Sequence, residues 1–206
     1  MGASVQTIPM PEADHLREIP IGKMAIWWFL ASEIMVFGGL IACFVLFQFA
    51  HGGFAAEAEH VKWRLGAFNT LVLVTSSLTM ILALAAARSK DLARTRLCLA
   101  ATILLGVFFL CVKGFEYRTE IREGFVPSSG MFWSFYFGMT GLHGLHVIAG
   151  IVLNITLLVA VTKKKPWDFL QRRIEFAGLY WHFVDVVWTL SRRIRTAQQS
   201  PRTRLS

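Results

Sequence analysis

Five apolar runs, Ala25–Phe49, Leu65–Ala87, Leu97–Tyr117, Met131–Val161 and Ile174–Leu190, constrain this chain more than any motif in it. A helix that crosses a bilayer needs about 20 apolar residues, each advancing it about 1.5 Å, and the runs are of that order. The fourth is overlong and should tilt or protrude. The fifth is short at one end, where Ser191-Arg192-Arg193 cuts it off. Each run is apolar around most of its circumference. In hydrocarbon every backbone N–H and C=O must be satisfied internally, which favours a bundle of helices over a barrel for runs of this length. The expected fold is an all-α integral membrane protein, a bundle of five transmembrane helices.

Composition excludes an ordinary soluble domain. Of 206 residues 55% are hydrophobic and 17% charged, and the mean hydropathy is +0.52. The charges cluster between the apolar runs, as loops between membrane spans would. The net charge of +8 needs no nucleic acid, because basic residues at helix ends snorkel toward anionic headgroups. Residues 1–22, with Pro9, Pro11, Glu12, Asp14 and Glu18, form a polar arm unlike the basic start of a cleavable signal. Residues 23–195 are one membrane domain and 196–206 a basic tail.

Lysine and arginine counts give an orientation. Arg88, Lys90, Arg94 and Arg96 surround the second connection, and Lys163, Lys164, Lys165, Arg172 and Arg173 the fourth. The first holds Lys62 and Arg64, the third Lys113, Arg118 and Arg122. This asymmetry predicts a cytoplasmic N-terminus. The terminal Arg192, Arg193, Arg195, Arg202 and Arg204 run against it.

Polar groups inside the runs are costly in hydrocarbon unless paired, so each marks a functional or assembly site. On the fifth run Glu175, Gly178, His182, Asp185 and Thr189 recur at steps of three and four and line one face, while Leu179, Val184 and Val187 point elsewhere, toward lipid or other packing. A polar seam with a small residue suits helix–helix contact in a membrane. On the fourth run His143, His146, Gly150 and Asn154 share a face. Two histidines a turn apart could ligate a metal, pair with a carboxylate on a neighbouring helix, or meet a lipid phosphate. No thiolates or carboxylates complete a four-ligand set at compatible spacing, so metal is the weaker option.

Glu33 on the first run is open to three readings: proton carrier, lipid-headgroup partner or helix-contact residue. No aligned series of such groups accompanies it, which favours the last two. Asn69 and Ser76 share a face of the second run among Thr70, Thr75, Ser77 and Thr79, most simply as a close-packing interface. Glu116 sits beside Tyr117, an interfacial aromatic anchor. Cys43, Cys98 and Cys111 lie within runs and fit small packing residues better than a disulfide or metal site. There is no phosphate-binding glycine loop, nucleophile elbow or Cys-x-x-Cys-His haem attachment sequence. Too few histidines lie in the runs to hold several haems and a copper centre.

Five segments occur in order: Ser32-Glu33-Ile-Met-Val-Phe-Gly-Gly39; Leu65-Gly-Ala-Phe-Asn69-Thr-Leu-Val-Leu-Val-Thr-Ser76-Ser77; Gly114-Phe-Glu116-Tyr117; Thr140-Gly-Leu-His143-Gly-Leu-His146-Val-Ile-Ala-Gly150; and Tyr180-Trp-His182-Phe-Val-Asp185-Val-Val-Trp188. From Trp27 to Trp188 the chain resembles subunit III of the haem-copper oxidases, the cytochrome c and quinol oxidases of aerobic electron transport. The resemblance implies a non-catalytic subunit packed against subunit I, which carries the haem and copper, in a complex that couples oxygen reduction to proton pumping. It implies no haem or metal in this chain, ordered phospholipid, and a part in proton entry to subunit I. Glu33 looks like the family's carbodiimide-reactive intramembrane glutamate. His143, His146, Glu116, His182 and Asp185 match recurrent polar residues, here expected to serve packing and lipid contact.

The chain has only the last five of the seven spans found in many members, which puts a complete lipid cleft in doubt. Its Thr189-Leu190-Ser191-Arg192-Arg193 stands where members commonly stay apolar, so the last helix either stops early or continues as a basic extension. The accessory protein of bacterial nitric oxide reductase is the nearest alternative. A small proton-coupled transporter using Glu33, His182 and Asp185 is disfavoured by the lack of paired repeats or interrupted helices.

Overall fold

The computed structural model describes residues 21–50, 63–124, 126 and 130–196, which form five α-helices and no strand. These are α1 (Ile21–Ala50), α2 (Trp63–Arg88), α3 (Leu92–Arg122), α4 (Met131–Thr162) and α5 (Trp167–Thr196). At 26 to 32 residues each, they are about 39–48 Å long, enough to cross a bilayer. Four are also apolar enough to do so by composition alone: α1, α2, α3 and α4. Helix α5 carries more polar residues, yet is as long and packs on α2, α4 and α1.

Most of the N-terminal arm, and residues 197–206 of the tail, lie outside the described residues; Ile21 and Gly22 belong to α1. Two expectations are corrected. Helix α5 is not cut off at Ser191-Arg192-Arg193: it runs to Thr196, Ser191 is buried, and Arg192 Nη1 donates to Thr70 Oγ1 of α2 at 2.8 Å. A long arginine on an inward face can anchor a helix as well as end it. Lys113, expected in a connection, lies inside α3 and is buried. Its neighbours along the helix outvoted its charge.

Two tight connections explain the antiparallel pairs α2/α3 and α4/α5. Lys90 (φ 57°) and Lys164 (φ 51°) adopt the left-handed conformation that ends a helix. After Lys90 the amide of Asp91 donates to Ala86 O at 3.0 Å, and after Lys164 the amide of Lys165 donates to Ala160 O at 3.2 Å. Asp91 then caps α3, its Oδ1 accepting from the amides of Ala93 (3.0 Å) and Arg94 (3.1 Å).

Neighbour contacts run α2–α3–α4–α5 and back to α2, so these four helices close a ring. Helix α1 lies outside it, against α4 and α5, and is packed far more lightly. The ring's centre is Trp181, 1% exposed, which fills space left by glycines on two other helices. A β-carbon at Gly106 of α3 would stand 2.9 Å from its Cη2, and one at Gly150 of α4 would stand 2.7 Å from its Cζ3. Its indole Nε1 donates to Ser76 Oγ on α2 at 3.0 Å. The glycines thus make room for a large side chain where no hydrophobic drive between helices exists and packing has to hold them together. The outer surface is correspondingly apolar: Trp27, Met35, Phe49, Leu71, Leu104 and Leu145 are exposed, as lipid-facing side chains are.

Candidate functional site

Three polar groupings occupy the interior, each joining two or more helices.

The first is built on α3. Lys113, Glu116 and Glu120 recur at helical spacing and face the ring's interior. Lys113 Nζ meets Glu116 Oε2 at 2.7 Å, with side chains 11% and 5% exposed. Tyr136 of α4 points its hydroxyl at Glu116 Oε1 (3.0 Å) and Glu120 Oε1 (2.9 Å). Two carboxyl groups therefore share one phenolic hydrogen, with Lys113 balancing charge. The ammonium also lies over the Trp188 ring at 4.7 Å. His143 stacks on that same ring (5.0 Å, 30°) and meets Phe109 edge-on at 5.6 Å. Tyr117 hydrogen-bonds Thr140 in the same region.

The second joins α2 and α5. The Ser77 hydroxyl donates to Asp185 Oδ2 and lies 2.9 Å from His182 Nδ1. The hydroxyl thus bridges the carboxylate and the imidazole, and the tautomer of His182 sets the direction of the second bond. Gly178 packs on Met80 of α2, with 3.8 Å from its β-carbon position to Met80 Cε. Thr189 bonds back to Asp185 O at 2.9 Å, and Glu175, half-buried nearer the helix start, forms no hydrogen bond or ion pair among the described residues. Ser76 and Asn69 are fully buried on the facing side of α2. Neither amide atom of Asn69 has a hydrogen-bond partner among the described residues. Of the two destinations expected for Val184 and Val187, lipid or other packing, the structure gives packing: both are buried, because α5 packs on several sides, while Val186 and Leu190 stay outward.

The third attaches α1. Glu33 Oε2 lies 3.0 Å from His146 Nε2, while His146 Nδ1 sits 2.8 Å from Leu142 O and so donates to it. Phe37 packs edge-on against the imidazole at 5.3 Å. Tyr180 donates to His146 O at 3.0 Å, bringing α5 to the same point.

His143 and His146 are therefore separated, contrary to a shared metal-ligating face. A step of three residues turns a helix about 60° short of a full turn, and here that sends His143 to α3 and α5 but His146 to α1. Among the described residues no three His, Cys, Asp or Glu side chains are placed to hold a metal. Asn154 bonds its own helix at Gly150 O (2.9 Å). Cys43 and Cys111 face outward and only Cys98 packs against the core, so the packing role expected for all three holds for one.

Sequence reasoning missed Lys113, Glu120 and Tyr136 as interior partners of Glu116. The signal was present: a lysine and two glutamates at i, i+3 and i+7 form one stripe. Ser77 was seen only as one of several hydroxyls, because its two partners lie over a hundred residues away.

A profile of the family described as "Cytochrome c oxidase subunit III" matches residues 12–191. The chain is 37% identical over 164 residues to a "Probable cytochrome c oxidase subunit 3" of Nocardia farcinica, covering 79% of this chain and 80% of that one. It is 29% identical over 186 residues to a "Cytochrome c oxidase subunit 3" of a Bacillus species (strain PS3), covering 90% of each. A "Probable quinol oxidase subunit 3" of Staphylococcus aureus is 32% identical over 175 residues, 84% of this chain and 86% of the relative. With nearly the whole membrane part matched and its helices closed into one bundle, the chain belongs to the cytochrome c oxidase subunit III family.

Proposed function

We propose that the chain serves as the non-catalytic subunit III of a respiratory haem-copper oxidase in a bacterial inner membrane, N-terminus in the cytoplasm. The observation that carries this is the family match across residues 12–191, together with relatives named as cytochrome c and quinol oxidase subunits. Those names favour an oxidase over a nitric oxide reductase complex. The interior supports a structural role, because Glu33 with His146, Lys113 with Glu116, and Asp185 and His182 with Ser77 engage neighbouring groups at three separate places. The haem and copper chemistry falls to subunit I, which this chain supports in assembly and proton uptake. Glu33, Asn69, Ser76, Glu116, His143, His146, Glu175, His182 and Asp185 serve packing or lipid contact in this reading.

Lipid has a place to go. A cavity of about 680 Å³ opens between α1, α4 and α5 where α1 stands off the ring. Its walls include Ile26, Phe29, Leu153 and Phe176, and its rim includes Arg172 and Arg173. Acyl chains suit the walls and a phosphate suits the arginines.

Affinity purification of the tagged chain from its own membranes in mild detergent tests the assignment. The expected preparation contains a haem- and copper-bearing subunit and reduces oxygen. A preparation that reduces nitric oxide instead, or holds no haem-bearing partner, overturns it.

A further inference from the structure

Helix α1 is packed in two different ways along one inward face, which carries Gly22, Ile26, Phe29, Glu33, Phe37 and Phe44 at helical spacing. Beyond Gly39 that face is anchored on α4. Phe44 is 1% exposed, and Phe44 and Phe47 meet the Phe135 ring at 5.7 and 6.2 Å. Leu40 and Ile41 pack on the same aromatic cluster. Before Gly38 the face fronts the cavity of about 680 Å³, which Gly22, Ile26 and Phe29 line. Among the described residues of 22–36 only Leu30 is buried, and Trp27 and Trp28 are exposed. Polar attachment of this half to the ring, among the described residues, comes from Glu33 Oε2 on His146 Nε2 at 3.0 Å.

The two halves meet at Gly38-Gly39. Both glycines are exposed, and a β-carbon on either would meet nothing within 4 Å. No neighbour requires them to be glycine, so what they give the helix is backbone freedom. Paired small residues of this kind are among the few places where a helix bends sharply.

The cavity's shape says what such a bend would serve. Its wall on α5 runs from Asp168 to Tyr180, twelve residues or about 18 Å. That is close to one leaflet of a hydrocarbon layer about 30 Å thick, with the charged rim at its outer end. A phospholipid drawn in through the rim would have to expose its chains to water, so it enters sideways from the bilayer. Of the three walls, α4 and α5 are neighbours in the closed ring, and α1 is the lightly packed one.

Resting on the reading of this cavity as a lipid site, we infer that residues 21–37 form a lateral flap that admits an acyl chain to it. Gly38-Gly39 is the hinge, Glu33 on His146 is the latch, and the aromatic cluster around Phe44 holds the rest of α1 in place.

Distances within the complete oxidase in lipid nanodiscs test this. Nitroxides on p-acetylphenylalanine at positions 28 and 159 report on the flap against α4, and a pair at 46 and 145 reports on the anchored half; all four side chains are exposed. His146→Leu should raise the population of longer 28/159 distances about tenfold, as loss of a charge-assisted bond allows. Adding Gly38→Ala and Gly39→Ala, which meet no steric obstacle, should bring it back toward wild type. The 46/145 distances should stay unchanged throughout. Exchange of bound lipid for deuterated phosphatidylglycerol, read by mass spectrometry of lipid recovered with the complex, should quicken and slow in the same order. A 28/159 distribution indifferent to His146→Leu, or one that shifts together with 46/145, overturns the flap. Lipid that exchanges at one rate in every variant overturns it too, since the cavity then fills without it. A flap that opens while no variant holds exchangeable lipid overturns the lipid reading and this inference with it.

Discussion

Gly150 and Gly144 lie on the same helix and differ in one respect: a β-carbon on Gly150 would strike Trp181, while nothing lies within 4 Å of one on Gly144. Gly150→Ala should therefore cost about 1–3 kcal/mol by overpacking. Gly144→Ala should be neutral or stabilise by up to about 1 kcal/mol through helix propensity. Thermal unfolding of the two variants in detergent, followed by near-ultraviolet circular dichroism, should move in different directions. Lys113 gives a second contrast. Lys113→Met leaves the buried Glu116 without the ammonium that pairs with it and should destabilise by about 3–5 kcal/mol. Adding Glu116→Gln to that variant should restore part of the loss, and a double-mutant cycle measures the coupling. Residue types and helical spacing made these polar stripes legible in the sequence. Their partners were not, since pairing across helices depends on which faces meet.

At the scale of the helix, α1 is the outlier. The other four close a ring, whereas α1 is tied on by the Glu33–His146 pair, the Phe37 contact and the Tyr180–His146 bond. Glu33 has a 17% exposed side chain, open enough for a small hydrophobic reagent but held by its partner. In membranes a carbodiimide should modify Glu33 slowly, His146→Leu should speed this about tenfold by freeing a charge-assisted bond of about 1.5–3 kcal/mol, and Glu33→Gln should abolish it. Peptide mass spectrometry reads all three, and equal rates with and without His146 would count against the pair as the restraint. The five apolar runs located all the helices, but each helix extends beyond its run. Lys90 and Lys164 end helices and Asp91 starts one by backbone and hydrogen-bond geometry and not by hydropathy, and Arg192 continues one because α2 offers it an acceptor.

At the scale of the whole molecule, the interior is committed to holding itself together. The purified chain should accordingly show no stoichiometric Soret band and no bound copper, measured by absorbance and metal analysis after separation from its partners. A haem band belonging to this chain alone would end the assignment. The sequence by itself determined that the chain is a helical membrane bundle, and its motifs, in their order, pointed to the subunit III family. Those conclusions rest on local quantities: hydrocarbon tolerates long apolar helices, and motif order is written along the chain. Only the tertiary structure decided that His143 and His146 go to different helices and that Trp181 fills the gap between two glycines. It alone placed Lys113 inside and left His182 facing outward beside a buried Asp185. Those outcomes depend on the rotation and neighbours of each helix, and in a membrane, where apolar surface does not choose a partner, side-chain fit and hydrogen bonds set both.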